Sequence, residues 1–260
     1  MMRIHFLGTG SASVTAERDN TSILVEAGAN LILLDCGGNP AGKILRLGYD
    51  PCALDAIFLT HLHIDHCYGL PALLFHLFLQ KRMRPLPVFF PEEEMDLLNQ
   101  QLLSHGIGED VRTYQLEKSA VGIVQETMIW ETEHAAVYSG IARHSRATRA
   151  YRIIEKRTGR RMVFSGDTHP VNEMIALSRN VDVLIHEATY LESHAALATE
   201  YGHSTARQAG QIAENARAAS LALVHFECPP GSSIQQYRNE AASEFRGTIY
   251  TPDDMTGIVL

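Results

Sequence analysis

The chain has 260 residues, 45% of them hydrophobic and 20% charged, enough to bury one large core or at most two small ones. Twenty-two Lys and Arg against 30 Asp and Glu leave a formal net charge of −8, which argues against a global electrostatic grip on nucleic acid. No run approaches the roughly 18 to 20 apolar residues that span a bilayer, the N-terminus lacks a secretory pattern, and four cysteines without a Cys-x-x-Cys pair make no disulfide scaffold, so a cytoplasmic protein without membrane contact is expected.

Short β-type runs alternate with helical stretches. Arg3–Leu7, Thr21–Glu26, Leu31–Asp35 and Ala56–Thr60 read as strands bounded by Gly, Asn or charged turns. Gly69–Met83 is apolar on most sides with a proline in its first turn, which predicts a buried helix, and Pro91–Ser104 predicts an amphipathic one. From Gln125 to Phe164 the pattern is mostly strand, with a Thr158-Gly159 turn between Tyr151–Glu155 and Arg161–Phe164. A helix over Val171–Ser178 and a strand over Val181–His186 follow. Thr205-Ala206-Arg207-Gln208 has the form of a capping box, behind which Ala209, Ile212, Ala213 and Ala216 recur at helical spacing. Leu221–Phe226 reads as strand, Ser233–Phe245 as helix and Gly247–Tyr250 as strand. Interleaving without a linker predicts one α/β domain over residues 1–260, two sheets packed together with helices outside.

The chemistry concentrates in Thr60-His61-Leu62-His63-Ile64-Asp65-His66, between an apolar strand and a helix. Three imidazoles and a carboxylate so close together are costly to bury as plain core. A divalent ion resolves the conflict, because it takes neutral imidazole and ionised carboxylate together. In extended chain His61 and His63 point to one side, which suits one metal. Asp65 and His66 follow a turn and can face a second metal about 3.5 Å away.

His-x-His-x-Asp-His after a strand resembles the signature of the metallo-β-lactamase superfamily, and the resemblance covers essentially the whole chain. It implies a four-layer αββα sandwich with a metal site at the sheet edges. The later ligands of that pattern, a His, a bridging Asp and a final His, are answered by His144, Asp167 and His225, with His134 a rival for the third position. Asp35 resembles the first motif, where the Asp supports a ligand histidine. A narrower resemblance is to the ribonuclease Z-like branch, carried by Leu7-Gly8-Thr9-Gly10 with Arg18-Asp19-Asn20-Thr21-Ser22, by Tyr151 seven residues after His144, and by His186-Glu187-Ala188-Thr189 with His203-Ser204-Thr205.

The resemblance implies a binuclear hydrolase. His61, His63, His144 and Asp167 would hold one ion, and Asp65, His66, Asp167 and His225 the other. Zinc is the default for a His-rich, carboxylate-poor site, with manganese or iron as alternatives. Bridging ions would supply hydroxide near neutral pH, Asp65 would orient it or take its proton, and His203 backed by Glu187 would protonate the leaving oxygen. Cys67, beside His66, reads as a small buried residue rather than a thiolate ligand.

Eight of the 22 cations fall within Arg143–Arg161, so a locally positive rim around His144 is expected, with Arg146 and Arg149 as candidates for binding an anionic substrate. Two departures stand out. The tRNA 3′-processing members of this branch carry a long Gly- and Pro-rich arm, whereas here only 15 residues separate Tyr151 from Asp167. Those members also continue after the last ligand with a Ser and an Arg-Tyr pair, whereas this chain reads Phe226-Glu227-Cys228-Pro229-Pro230. The expected activity is therefore a phosphodiesterase for a small or nucleotide-like anionic ester. The alternatives are a tRNA 3′ endonuclease, a lactonase or arylsulfatase on the same metals, and a binding protein that keeps the fold. Nucleic acid is not the favoured partner, and a homodimer is what the relatives suggest.

Overall fold

The computed structural model describes residues 1–108, 110–111 in backbone, 113–228 and 231–260. Pro229 and Pro230, part of the departure after His225, lie outside the described residues.

The strands run, in chain order, β1 (Met2–Gly8), β2 (Ser22–Ala27), β3 (Asn30–Leu34), β4 (Ala56–Phe58), β5 (Leu86–Pro91), β6 (Asp110–Val111), β7 (Tyr114–Val121), β8 (Thr127–Glu131), β9 (Ala135–Ile141), β10 (Arg149–Glu155), β11 (Arg161–Phe164), β12 (Val183–Glu187), β13 (Ser220–Val224), β14 (Thr248–Tyr250) and β15 (Thr256–Val259). The helices are α1 (Pro40–Arg46), α2 (Ile64–Cys67), α3 (Leu70–Leu79), α4 (Met95–Ser104), α5 (Asn172–Leu177), α6 (Ala195–Tyr201), α7 (Ala206–Ala216) and α8 (Ile234–Ala242). One sheet has the order β15-β1-β2-β3-β4-β5-β7-β6 and the other β14-β13-β12-β11-β10-β9-β8. β15 pairs antiparallel with β1, so the last strand closes the first sheet.

Strand alternation builds three apolar layers. Ile4, Phe6, Ile23, Val25, Ile32 and Leu34 meet Tyr151, Ile153, Phe164, Val183, Ile185 and Val224 between the sheets. Their sequence neighbours Leu24, Leu31 and Leu33 face the other way and pack with Ile44, Leu73, Leu77 and Leu98 from α1, α3 and α4. On the opposite flank Leu184, Leu221 and Leu223 meet Leu177, Ile212, Ala213 and Tyr237 from α5, α7 and α8. A strand with both faces buried must be apolar at every position, which is why these runs read as unbroken hydrophobics. Each fully buried Leu or Ile contributes about 1.5–3 kcal/mol. The result is the αββα sandwich that the motif implied.

α7 opens with the capping box: Gln208 N–H donates to the Thr205 hydroxyl (3.2 Å) and Thr205 N–H to Gln208 Oε1 (2.8 Å). α3 stops at Leu79, short of Met83. Lys81 takes a left-handed φ of 60°, and the guanidinium of buried Arg82 then reaches the carbonyls of Cys52, Leu54, Arg84 and Pro85. Pro91 ends β5, and α4 begins four residues later than Pro91–Ser104 implied.

Candidate metal centre

The strand ends of the two sheets meet at one point. His61 and His63 follow β4, while Asp65 and His66 lie on α2. From the second sheet His144 comes from the β9–β10 loop, Asp167 follows β11 and His225 follows β13. Two bonds clamp the junction: the Tyr151 hydroxyl donates to the Leu59 carbonyl (2.7 Å) and Arg149 N–H to the Thr60 carbonyl (2.9 Å). Gly166, with φ 58°, lets the β11 end approach β4, since a Cβ there would lie 2.7 Å from that of Thr60.

Each imidazole is oriented from behind. Asp35, wholly buried at the end of β3, accepts the N–H (2.7 Å) and hydroxyl (2.9 Å) of Thr60 and Nδ1–H of His66 (2.7 Å). The Thr60 oxygen in turn accepts Nδ1–H of His61 (3.0 Å). His144 Nδ1–H donates to the Gly202 carbonyl (2.8 Å) and His225 Nδ1–H to the Thr189 hydroxyl (2.9 Å), which donates to Glu187 Oε2 (2.6 Å). With Nδ1 engaged in this way, Nε2 of all four rings faces inward, where it can serve as a ligand atom.

These atoms converge in two groups. Nδ1 of His63 lies 2.9 Å from Nε2 of His61 and 3.0 Å from Nε2 of His144. Nε2 of His66 lies 3.3 Å from Nε2 of His225 and 3.3 Å from Asp65 Oδ2. Asp167 Oδ2 stands between the groups, 3.3 and 3.4 Å from His66 and His225 and 3.7 and 3.8 Å from His61 and His144. Lone pairs packed this closely repel one another, and divalent cations make the packing favourable, so the donor set fits metal ions. His203 also lies within reach of Asp167 and His225.

The field has the same sense. Burial, then the neighbouring imidazoles, push His61 well below the ordinary value, and His63 falls to about 4 for the same reasons. Burial would raise Asp65 and Asp167, but the imidazoles of His66 and His225 outweigh it and hold both carboxyls down. Burial would likewise lower His66, yet Asp167, Asp35 and Asp65 outweigh it. A site that draws positive charge to buried imidazole also draws a cation. Cys67 is different: burial pushes its thiol up to about 11, and Sγ–H donates to the His63 carbonyl (3.2 Å). It is a buried thiol.

Beside this cluster His203 Nδ1–H donates to Glu187 Oε1 (2.9 Å). Burial opposes the proton, but Glu187 and then Asp167 outweigh it and raise the ring to about 9. Glu187 also accepts N–H from Thr168 (2.8 Å), Thr189 (3.2 Å) and Ser204 (3.1 Å), so it is fixed as an acceptor. Thr189 and Gly202 were given no role from sequence. Thr189 closes the His186–Thr189 motif, and Gly202, left-handed at φ 81°, ends α6 just before His203. Both signals were present, but neither residue carries chemistry of its own.

His63, Asp65, His144, Asp167, His203 and His225 line a cavity of about 460 Å³. Arg146 and Arg149, expected as substrate contacts, do not line it; they line an adjoining cavity that shares His144 and Ser145 with it, and both are engaged by carboxylates. Arg146 is bidentate to Glu94 (2.9 and 2.7 Å). Arg149 is buried, pairs with Glu93 (2.7 Å) and binds the carbonyls of Val121 (3.1 Å) and Gly122 (2.9 Å). Arg143, Arg152, Lys156 and Arg160 are likewise paired with Glu173, Glu126, Glu131 and Asp182. Most of the expected positive rim is therefore neutralised by carboxylates from outside the 143–161 run.

The family model described as Anti-Pycsar protein Apyc1 matches residues 2–238 of this chain. Ribonuclease Z of Halorubrum lacusprofundi is 30% identical over 298 residues, covering 97% of this chain and 95% of the relative. The chain belongs to the Apyc1 family, in the ribonuclease Z-like branch of the metallo-β-lactamase superfamily. Two solved structures share this architecture. The metallo-β-lactamase-fold protein YhfI of Bacillus subtilis superposes with TM-score 0.82 at 23% identity, over 99% of this chain and 98% of that one. The short form of human tRNase Z superposes with TM-score 0.80 at 25% identity, over 99% and 98%. This Apyc1-family chain is thus a metal-dependent hydrolase. Among its described residues no helix is long and apolar enough to cross a membrane.

Proposed function

We propose that the protein is a binuclear metal phosphodiesterase for a small, nucleotide-like diester. The observation that carries this reading is the pair of converging donor groups sharing Asp167 at the floor of a cavity of mononucleotide size. His61, His63, His144 and Asp167 would hold one ion, and Asp65, His66, His225 and Asp167 the other. Zinc suits five imidazoles and two carboxylates best. When bound, such ions supply Lewis acidity toward phosphoryl oxygens and acidify water enough to react near neutral pH.

The chain's own groups do the rest. Asp65, held below the ordinary carboxylate range, is ionised at neutral pH and lines the cavity, where it can accept a hydrogen bond from the attacking water and orient it. His203, protonated by virtue of Glu187, lines the same cavity and gives its Nε2 proton to the departing oxygen. Glu187 keeps that ring turned and charged.

Small substrate size rests on what the chain lacks relative to ribonuclease Z. The 298-position alignment with the Halorubrum protein is at least 38 positions longer than the 260 residues here can fill, and between Tyr151 and Asp167 there is only the β10–β11 hairpin. The second reading, tRNA 3′ processing, is favoured by that same relative, named Ribonuclease Z, and by the human tRNase Z structure.

Elemental analysis of metal content should be combined with turnover of bis(p-nitrophenyl) phosphate, a 3′,5′-cyclic mononucleotide, a lactone and a tRNA precursor. Two divalent ions per chain, with kcat/KM highest for the cyclic diester, are expected. Higher kcat/KM on the tRNA precursor would establish the second reading, and a dominant lactone rate would move the site away from phosphate esters. Two bound metals with no hydrolysis of any substrate would sink both.

A further inference from the structure

One wall of the cavity contains no proposed ligand. Ser11 N–H donates to the Phe226 carbonyl (3.1 Å) and Glu227 N–H to the Thr189 carbonyl (3.2 Å), so the loop after β1 and the loop after β13 form one surface. On it the Ser11 hydroxyl is fixed from both sides, accepting Ser13 N–H (3.2 Å) and donating to Glu227 Oε2 (2.6 Å). A carboxylate has acceptor sites on both oxygens, and this arrangement commits only Oε2 to Ser11. Ser11 and Glu227 line the cavity with Tyr190 and Tyr201, and among the described residues no lysine or arginine does so. A carboxylate without a cationic partner, facing a site for an anion, works against binding unless it discriminates between anions.

Resting on the phosphodiesterase reading, the geometry points to the Ser11–Glu227 pair as the specificity element for whatever adjoins the scissile phosphate. It selects an uncharged hydrogen-bond donor, a sugar hydroxyl or an exocyclic base amine, and rejects a second phosphate. Such a donor gives Glu227 a charge-assisted bond, stronger than one between neutral groups. A further phosphate meets like charge on a wall where no described lysine or arginine offsets it. Tyr190 and Tyr201 supply aromatic surface for the nucleoside body. The wall therefore admits a mononucleotide diester and disfavours a polynucleotide whose next phosphate would follow.

Glu227→Gln keeps the shape and the bond to Ser11 and removes the charge; Ser11→Ala leaves the charge and removes its anchor. KM is measured for both variants and the wild type on four kinds of substrate. These are 3′,5′-cyclic ribonucleotides with and without an exocyclic amine, a 2′-deoxy analogue, bis(p-nitrophenyl) phosphate and a 5′-phosphorylated dinucleotide. Glu227→Gln is expected to raise KM for a cyclic ribonucleotide about tenfold and that for bis(p-nitrophenyl) phosphate by less than about threefold. It is also expected to lower KM for the phosphorylated dinucleotide. The substrate lacking hydroxyl or amine on which the tenfold effect disappears identifies the donor. Ser11→Ala shifts the same ratio in the same direction by a smaller factor, so the idea stays testable if the other variant is unstable. Equal shifts on all substrates, or none, overturn the selection role while leaving the phosphodiesterase reading intact. Absence of wild-type turnover on every diester overturns both.

Discussion

Five imidazoles in one site would be a defect in the core without the acceptor behind four of them. Asp35, Thr60, Gly202 and Thr189 each take an Nδ1–H and so leave Nε2 free toward the centre. Because Asp35 serves His66 directly and His61 through Thr60, Asp35→Ala should weaken divalent-ion affinity by about 10–100-fold, read by competition with a chelating dye. His203 makes a different prediction. Its pKa is raised, so the proton is present below about 9 and lost as pH climbs through that value, and kcat/KM should fall on the alkaline side. Glu187→Gln removes the main lift and should move that limb down toward the ordinary imidazole value of about 6.5. His203→Ala should cost about 10²–10⁴-fold on an alkoxide-leaving diester, yet far less on bis(p-nitrophenyl) phosphate, whose phenolate needs no proton to depart. Equal losses on both would exclude proton donation. The convergence of seven donor side chains was legible in the sequence because metal chemistry restricts residue type and spacing. The pairing of the arginines was not legible, for the converse reason. A cation's role depends on its partner, and Glu93 and Glu94 lie more than 50 residues away in sequence from Arg146 and Arg149.

At the scale of elements, strands buried on both faces announced themselves, as did α7 with its box. The sequence reading passed over β5, β7, α1 and α6. β5 is Leu-Pro-Val-Phe-Phe-Pro, and prolines at both ends mask a strand that nevertheless pairs on both sides, with β4 and β7. β7 alternates Tyr114, Leu116 and exposed Gln115, Glu117, a half-buried pattern with too few apolar residues to stand out. α1 and α6 are seven residues each and depend on tertiary packing more than on propensity. Arg149 shows how one side chain joins elements: from β10 it holds the carbonyls of Val121 and Gly122 at the end of β7 and the Glu93 turn before α4. Arg149→Ala strands buried carbonyls and should cost about 3 kcal/mol in urea denaturation. KM for bis(p-nitrophenyl) phosphate should change little if the residue is structural. A large KM increase at unchanged stability would restore the substrate-binding role.

In the whole molecule the donor cluster lies where two sheets meet. His61, His63, Asp65 and His66 belong to the first sheet's connections, and His144, Asp167 and His225 to the second's. Ions bound there cross-link the halves of the sandwich, in parallel with the Tyr151 and Arg149 bonds, so metal and fold must be thermodynamically linked. With free ion at a thousand times its dissociation constant, one site adds about 4 kcal/mol, equivalent to a rise on the order of 10 °C in melting temperature for a chain of this size. Chelation should therefore lower the melting temperature by that order, and restored zinc should reverse it. The sign of the pH dependence follows from the ligands. Imidazole must be deprotonated to bind, so protons compete increasingly as pH falls below the ordinary value of about 6.5, and the gap between metal-loaded and chelated protein should shrink toward pH 5. Asp167→Ala removes the donor common to both groups and should abolish most of the gap, while the chelated protein's own melting temperature falls, since the imidazoles of His66 and His225 lose the carboxylate that faces them. Calorimetric melts of wild type and variant, with and without chelator at pH 5 and 7.5, decide it: a metal-independent melting temperature in the wild type would mean that the two sheets are held together without the ions.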